Sequence, residues 1–99
     1  MKFVLTLPNQ HDLSFEYDET VYNPNYTQLD VVSIADIFIK KSRPDLKVLD
    51  LACGTGVLGL SVKYLNPEID LTLSDISPDA IKIAKKNARS HNIKCKIKT

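Results

Sequence analysis

The chain of 99 residues is long enough for one small domain with a single hydrophobic core. Its composition, 43% hydrophobic and 25% charged, is ordinary for a globular protein, and it shows neither an apolar run long enough to span a bilayer nor a signal-peptide pattern. These features argue against a membrane protein and predict a cytoplasmic one.

The cysteine pattern argues against a metal site. Cys53 and Cys95 are the only cysteines, and they show no C-x-x-C spacing and no histidine-rich neighbourhood. Zinc sites and disulfide frameworks both depend on clustered or regularly spaced cysteines. We therefore expect two free thiols, with Cys53 acting as a small residue in a turn.

The net charge of +1 conceals an uneven distribution. Residues 1–39 contain one base and six acids, whereas residues 80–99 contain seven bases and no acid. The cations are typical of a solvated helix face that also suits the negative end of the helix dipole, which is the favoured interpretation. The alternative is a basic surface that attracts nucleic acid, although no aromatic side chain is interspersed among the cations.

The first part of the chain predicts a β-hairpin. Residues 3–7 and 13–17 are rich in β-branched and apolar residues, and residues 8–12 between them have loop chemistry. A third extended piece is predicted at residues 20–22, before Pro24 halts regular pairing. We therefore divide the chain into a hairpin and linker over residues 1–26 and an α/β unit over residues 27–99.

Helical and strand patterns alternate through the rest of the chain. We expect helices at residues 28–39, capped by Thr27, at residues 57–65, and from Pro78, capped by Ser77, to about residue 91. Strands are expected at residues 48–51, 69–74 and 93–98. Because parallel crossovers are right-handed, this alternation predicts an α/β fold with a parallel sheet in the order third, second, first strand.

The turn after the first of these strands is rich in glycine and predicts a ligand site. Gly54 and Gly56 allow positive φ angles and a close approach of ligand to backbone, and Gly59 lets the next helix lie tight on the strand. The three glycines satisfy the G-x-G-x-x-G pattern of dinucleotide-binding folds. However, Asp50 would repel a pyrophosphate, whereas it would attract a cationic ligand such as S-adenosyl-L-methionine.

Asp75 ends the second strand at the same edge of the sheet as Asp50. A carboxylate there can accept hydrogen bonds from the two vicinal hydroxyls of a ribose. The alternative role for Asp75 is to cap the turn before Ser77, and the alternative role for Asp50 is to accept the amides of the glycine loop.

Residues 50–56, with the sequence DLACGTG, resemble the glycine-rich motif of the class I S-adenosylmethionine-dependent methyltransferases. The resemblance implies a Rossmann-like half-fold of parallel strands and flanking helices, preceded by the hairpin. It further implies that Asp75 binds the cofactor's ribose and that Ile76 packs on its adenine. The implied cofactor-binding residues are Asp50, Ala52, Cys53, Gly54, Thr55, Gly56, Asp75, Ile76 and, just before the predicted helix at residue 28, Tyr26.

Residues 13–39 and 74–93 narrow the resemblance to the release-factor glutamine methyltransferases of the HemK type. That family has a catalytic Asn-Pro-Pro-Tyr segment after a fourth strand, and neither Asn23-Pro24 nor Asn66-Pro67 is followed by Pro-Tyr. We therefore name no catalytic residue. The chain is interpreted as the cofactor-binding half of a methyltransferase: a fragment, a split-gene product or a degenerate copy.

Two functions follow. In the first, the chain is part of an enzyme that methylates a nitrogen of protein glutamine, as in a release factor, or of a nucleobase. In the second, it is a non-catalytic module that binds cofactor or a partner, and a dinucleotide-binding fragment ranks below both. Because the strand at residues 48–51 would expose an apolar edge, we also expect a complementing methyltransferase half or self-association.

Overall fold

A computed structural model of the protein describes residues 1–7, 9–24, 33–34 and 46–99. The strands are β1 (Lys2–Thr6), β2 (Asp12–Glu16), β3 (Lys47–Leu51), β4 (Asp70–Ser74) and β5 (Lys96–Lys98). The helices are α1 (Val57–Leu65) and α2 (Pro78–Ser90). The helix expected at residues 28–39 lies outside the described residues except at Ser33 and Ile34, which are helical.

The hairpin prediction is confirmed. Strands β1 and β2 pair antiparallel, with Phe3 opposite Phe15. Their apolar side chains alternate inward, as a strand with one buried face requires. These side chains belong to the same buried cluster as Leu71 and Leu73 of β4, so the hairpin and the parallel sheet share a core.

The prediction of a third extended piece at residues 20–22 is wrong, because the chain turns there. The Asp18 side chain accepts hydrogen bonds from the backbone N–H of Thr20, at 2.8 Å, and from its hydroxyl. Val21 N–H also donates to Asp18 C=O at 3.3 Å. Aspartate competes for nearby backbone and side-chain donors in this way, and it turns the chain where propensity alone favours a strand.

The parallel sheet has the order β3, β4, β5, as predicted. Val48 lies opposite Leu71, and Leu73 lies opposite Ile97. Strand β5 begins three residues later than expected, because Ile93 N–H donates to Ala88 C=O and stays with the end of α2. The parallel register brings the carboxyl ends of β3 and β4 to one edge.

Both described helices pack on one side of the sheet. The helix α1 begins and ends where the sequence predicts, and Gly59 permits its close approach, since a Cβ there would lie 2.5 Å from Leu73 Cδ2. Ser77 caps α2 by accepting from Ala80 N–H at 3.3 Å. The expected apolar stripe of α2 is buried: Ala80, Ile81, Ala84 and Ala88.

Strand β3 is an outer strand of the parallel sheet, on the side away from β5. Among the strands described, it pairs with β4 alone. Leu49 and Leu51 on this strand are 59% and 74% exposed. Parallel sheets normally have both faces covered, so these leucines are unusual surface residues for such a strand. No helix in the described part of the chain is long and apolar enough to cross a bilayer.

Candidate ligand-binding site

The turn that joins β3 to α1 has an uncommon backbone. Ala52, Gly54 and Gly56 all have positive φ angles, of 58°, 55° and 83°. Cys53, between them, donates its N–H to Ser74 C=O at 2.8 Å, which ties the turn to the end of β4. The sequence predicts the left-handed glycines but not Ala52, where the conformation costs a residue with a Cβ roughly 1–2 kcal/mol.

The glycines of the turn differ in what surrounds them. A Cβ added to Gly56 would lie 2.9 Å from Leu60 Cδ1, so this position is closed by packing. A Cβ added to Gly54 would meet nothing within 4 Å. The space beside Gly54 is therefore open to a ligand, and the backbone there can be approached closely.

Asp50 is half-buried beneath the first turn of α1. Its Oδ2 accepts the N–H of Gly59 at 3.0 Å, one of the amides that a helix start leaves without an intrahelical partner. Burial raises the pKa of Asp50, the negative charge of Asp75 adds to the rise, and the hydrogen bond from Gly59 offsets part of it. Asp50 thus carries a charge that its surroundings only partly stabilise.

Asp75 accepts backbone hydrogen bonds with both carboxylate oxygens. Oδ2 accepts the N–H of Gly54 at 2.9 Å, and Oδ1 accepts the N–H of Ser77 at 2.9 Å. The second bond is the turn-capping role that the sequence offered as the alternative. The two roles are compatible, because each carboxylate oxygen has two acceptor sites and both oxygens can accept a further hydroxyl.

Neither carboxylate has a cationic partner in the described part of the chain. There, the N-terminal amine and Glu16 form the one ion pair, at 4.0 Å. Two carboxylates therefore share one sheet edge, and backbone N–H groups supply their described hydrogen bonds. A cationic ligand would relieve this concentration of negative charge.

A pocket of about 300 Å³ opens on the turn. Of the predicted site residues, it is lined by Asp50, Ala52, Cys53, Gly54 and Thr55. Its other lining residues were not predicted to bind the cofactor: Tyr22, Pro24, Ile34, Leu51, Val57 and Leu58. Of these, Pro24 has a sequence signal, since residues just before the expected helix at residue 28 are placed to reach a ligand.

The other predicted residues lie around the pocket or outside the described part of the chain. Gly56 is a buried residue of the turn and does not line the pocket. Asp75 does not line the pocket either, but it accepts a hydrogen bond from Gly54, which does. Ile76 is 94% exposed beside Asp75. Tyr26 lies outside the described residues.

The thiols are free, as expected. Burial, together with the charges of Asp50 and Asp75, raises the pKa of Cys53 to about 12. The Cys53 thiol therefore stays protonated at neutral pH, as suits a buried residue of a turn. The described residues contain no cluster of three or more histidine, cysteine or acidic side chains that could hold a metal ion.

The buried polar residue Asn87 was not predicted as part of the site. It lies on the buried face of α2, among the residues of its apolar stripe. Its side chain hydrogen-bonds to Glu16 of the hairpin and to Thr55 of the turn. A polar residue that interrupts an otherwise apolar helix face is the signal that could have identified it.

Comparison with known proteins places this fold among methyltransferases. A release factor glutamine methyltransferase of Chlamydia trachomatis is 52% identical over 42 residues, 42% of this chain and 14% of that protein. A ribosomal RNA small subunit methyltransferase C of Hamiltonella defensa is 45% identical over 51 residues, 52% of this chain and 15% of that protein. The chain therefore spans only a small part of these relatives.

A solved structure shares the fold. The tRNA (uracil-54, C5)-methyltransferase of Pyrococcus abyssi, in complex with S-adenosyl-L-homocysteine, matches 88% of this chain and 21% of its own with a TM-score of 0.66. At 14% identity, this match shows a common fold. The family model of the methyltransferase small domain matches residues 13–99, so the chain belongs to that family.

Proposed function

We propose that the chain binds S-adenosyl-L-methionine at the glycine turn and serves as the cofactor-binding part of a methyltransferase. The observation that carries this proposal is the pair of carboxylates, Asp50 and Asp75, that have no ion-pair partner in the described residues and flank an open space at Gly54. A ligand with an ammonium and a sulfonium group complements this charge, whereas a pyrophosphate would be repelled.

The residues present fit such a ligand. Asp75 would accept hydrogen bonds from the ribose hydroxyls while it keeps its bonds to Gly54 and Ser77. Ile76 offers an exposed apolar surface next to the ribose position, and complete burial of such a side chain contributes on the order of 1.5–3 kcal/mol, so partial cover by a base contributes less. The pocket beside Ala52 and Gly54 would receive the amino-acid end.

The bound cofactor supplies an electrophilic methyl group. The role of this chain's own residues is to bind and orient it, and transfer then requires an acceptor aligned with the methyl. The named relatives favour methyl transfer over the non-catalytic module, and we propose a nitrogen of protein glutamine as the first candidate acceptor. Such a substrate implies a cytoplasmic enzyme.

A nucleobase is the second candidate acceptor, favoured by the charge of α2 and β5. We define the cationic edge as the exposed bases of these elements and of the segment that joins them: Lys82, Lys85, Lys86, Arg89, Lys94, Lys96 and Lys98. None of the large exposed apolar side chains in the described residues lies on α2 or β5, but Leu49 lines the same cavity as Lys96 and Lys98. Lys98 C=O accepts Asp75 N–H at 3.2 Å, so the edge adjoins the proposed site.

Replacing Asp75 tests the cofactor site. In Asp75→Asn one side-chain oxygen can still accept an N–H, but the charged acceptor for the ribose is lost, so affinity for S-adenosyl-L-homocysteine should fall by roughly 1.5–3 kcal/mol in isothermal calorimetry. The control is Asp70→Asn, which removes the same charge at the exposed amino end of β4 and should bind as the parent does. Tighter binding of NAD than of S-adenosyl-L-homocysteine would overturn the assignment.

Asp50→Asn should change stability and binding in opposite directions. Because its folded pKa is raised, Asp50 stabilises the fold fully only below its unfolded pKa of about 3.9, and that contribution is lost as pH rises through the folded value. The carboxamide oxygen can still accept Gly59 N–H, so the variant should have a higher urea midpoint at pH 7, and the difference should shrink towards pH 4. Its affinity for S-adenosyl-L-methionine should fall roughly tenfold.

These two effects are measured on the same samples. Urea unfolding between pH 4 and 8 gives the stability difference, and calorimetry at pH 7 gives the affinity. An Asp50→Asn variant that binds the cofactor as tightly as the parent would contradict the assigned role of the carboxylate, whatever its stability.

The cationic edge predicts salt-dependent binding of RNA. The affinity for a single-stranded RNA of twenty nucleotides, measured by fluorescence anisotropy, should fall with salt at a log–log slope of about −0.7 per phosphate neutralised. Lys82→Gln should make the slope shallower. The control, Lys2→Gln, removes the same charge from the hairpin strand β1, outside the cationic edge, and should not. Equal losses in both variants would reject the edge as a nucleic-acid surface and favour a protein acceptor.

A further inference from the structure

The side chain of Asn87 joins three elements that are far apart in the sequence. It is completely buried, with 0% exposure. Its Oδ1 accepts the N–H of Glu16 at 2.7 Å, and its Nδ2 donates to Glu16 C=O at 3.0 Å and to Thr55 C=O at 2.9 Å. One amide thus connects the end of β2, the helix α2 and the glycine turn.

The orientation of this amide follows from its neighbours. In the reverse orientation, Nδ2 would face the N–H of Glu16, and Oδ1 would face two carbonyl oxygens. Donor would then meet donor and acceptor would meet acceptor, so only the observed orientation satisfies the network. Asn87 hydrogen-bonds to both the N–H and the C=O of Glu16, as a residue of a neighbouring strand would. Its second amide N–H is then available for the Thr55 carbonyl.

The bond to Thr55 acts on the peptide unit that shapes the turn. The carbonyl of Thr55 accepts from Asn87, and the N–H of the same peptide, that of Gly56, donates to Cys53 C=O at 2.8 Å. Both ends of this peptide are therefore fixed just before α1 begins at Val57. Its orientation decides how the first amides of α1 and the open space at Gly54 are presented to a ligand.

The hairpin has other contacts with α2 that do not involve the turn. The ring of Phe15 lies 5.3 Å from that of His91, and His91 Nε2 lies 2.6 Å from Ser14 C=O, to which it donates as the N–H tautomer. Among the described contacts, these hold the hairpin in place without touching Thr55. They provide a way to loosen the hairpin while Asn87 remains intact.

We propose that Asn87 is a positioning residue that ties the glycine turn to the end of β2, so that its bond to Thr55, rather than the packing of the hairpin core, sets the affinity of the turn for its ligand. The identity of the ligand in this inference rests on the proposed function, whereas the hydrogen bonds of Asn87 do not depend on it. The end of β2 thus contributes to binding although none of the hairpin's strand residues lines the pocket.

The test compares Asn87→Asp with Phe15→Leu. The first variant keeps the shape of the side chain but removes the amide donor group, so the carbonyls of Glu16 and Thr55 lose their partner. The second loosens the hairpin core without removing any donor or acceptor that Asn87 uses. If Asn87→Asp does not fold, Asn87→Ala takes its place, since a smaller side chain buries no new charge.

Two measurements are made on each variant: the urea-derived stability, and the Kd for S-adenosyl-L-homocysteine under conditions where each variant is folded. We expect Asn87→Asp to raise Kd at least about tenfold, the size of one lost hydrogen bond to a buried group. Phe15→Leu should lower stability and leave Kd within twofold. Kd values that rise in step with lost stability in both variants would overturn the proposal.

Hydrogen exchange of the ligand-free protein tests the role of Asn87 independently of whether the chain binds S-adenosyl-L-homocysteine. Without ligand, Asn87→Asp should speed exchange of the Cys53 and Gly56 amides more than that of the amides of β4, whereas Phe15→Leu should affect them alike. If the parent does not bind S-adenosyl-L-homocysteine, the proposed function fails, and the exchange pattern still decides the role of Asn87. Uniform acceleration across the turn and β4 would show a purely structural residue.

Discussion

The hydrogen bond from Gly54 N–H to Asp75 Oδ2, at 2.9 Å, is the interaction on which the site depends. It joins the turn that follows β3 to the carboxylate that follows β4, and it does so because the parallel register ends both strands at one edge. The bond from Cys53 N–H to Ser74 C=O, at 2.8 Å, reinforces the same junction. Strand pairing, the shape of the turn and the Ser77 cap of α2 all depend on these few atoms.

The geometry of this junction opposes stability in two ways. Ala52 holds a left-handed conformation that is unfavourable for a residue with a Cβ, and Asp50 keeps a charge in a half-buried position near Asp75. Functional sites often contain strained backbone conformations and neighbouring charges of the same sign, which the packing of a core does not require. In our account, a cationic ligand relieves the electrostatic part, which links the local instability to the proposed binding.

The elements with strong periodicity could be predicted from the sequence. The hairpin, the bounds of α1, the start of α2 and the order of the parallel strands follow from alternation, glycine position and the Ser77-Pro78 cap. The predicted strand at residues 20–22 failed because the Asp18 side chain bonds Thr20 locally. The first half of the predicted last strand failed because Ile93 remains bonded to Ala88.

The sequence indicated which residues share the sheet edge but not the hydrogen bonds that connect them. The motif at residues 50–56 and the spacing to Asp75 identified the edge, and five of the nine predicted residues line the pocket. The partners of Asp75 and the bridge made by Asn87 depend on contacts over 21, 32 and 71 positions of sequence, which no local pattern encodes. Long-range polar contacts of this kind require the folded coordinates.

The most direct test of the central claim is a titration of the isotope-labelled chain with S-adenosyl-L-homocysteine, followed by amide chemical shifts. The account predicts saturable shifts concentrated at residues 52–57 and 75–77, where the turn and the Asp75 carboxylate meet. Absence of saturable shifts, or shifts confined to residues distant from that edge, would contradict it.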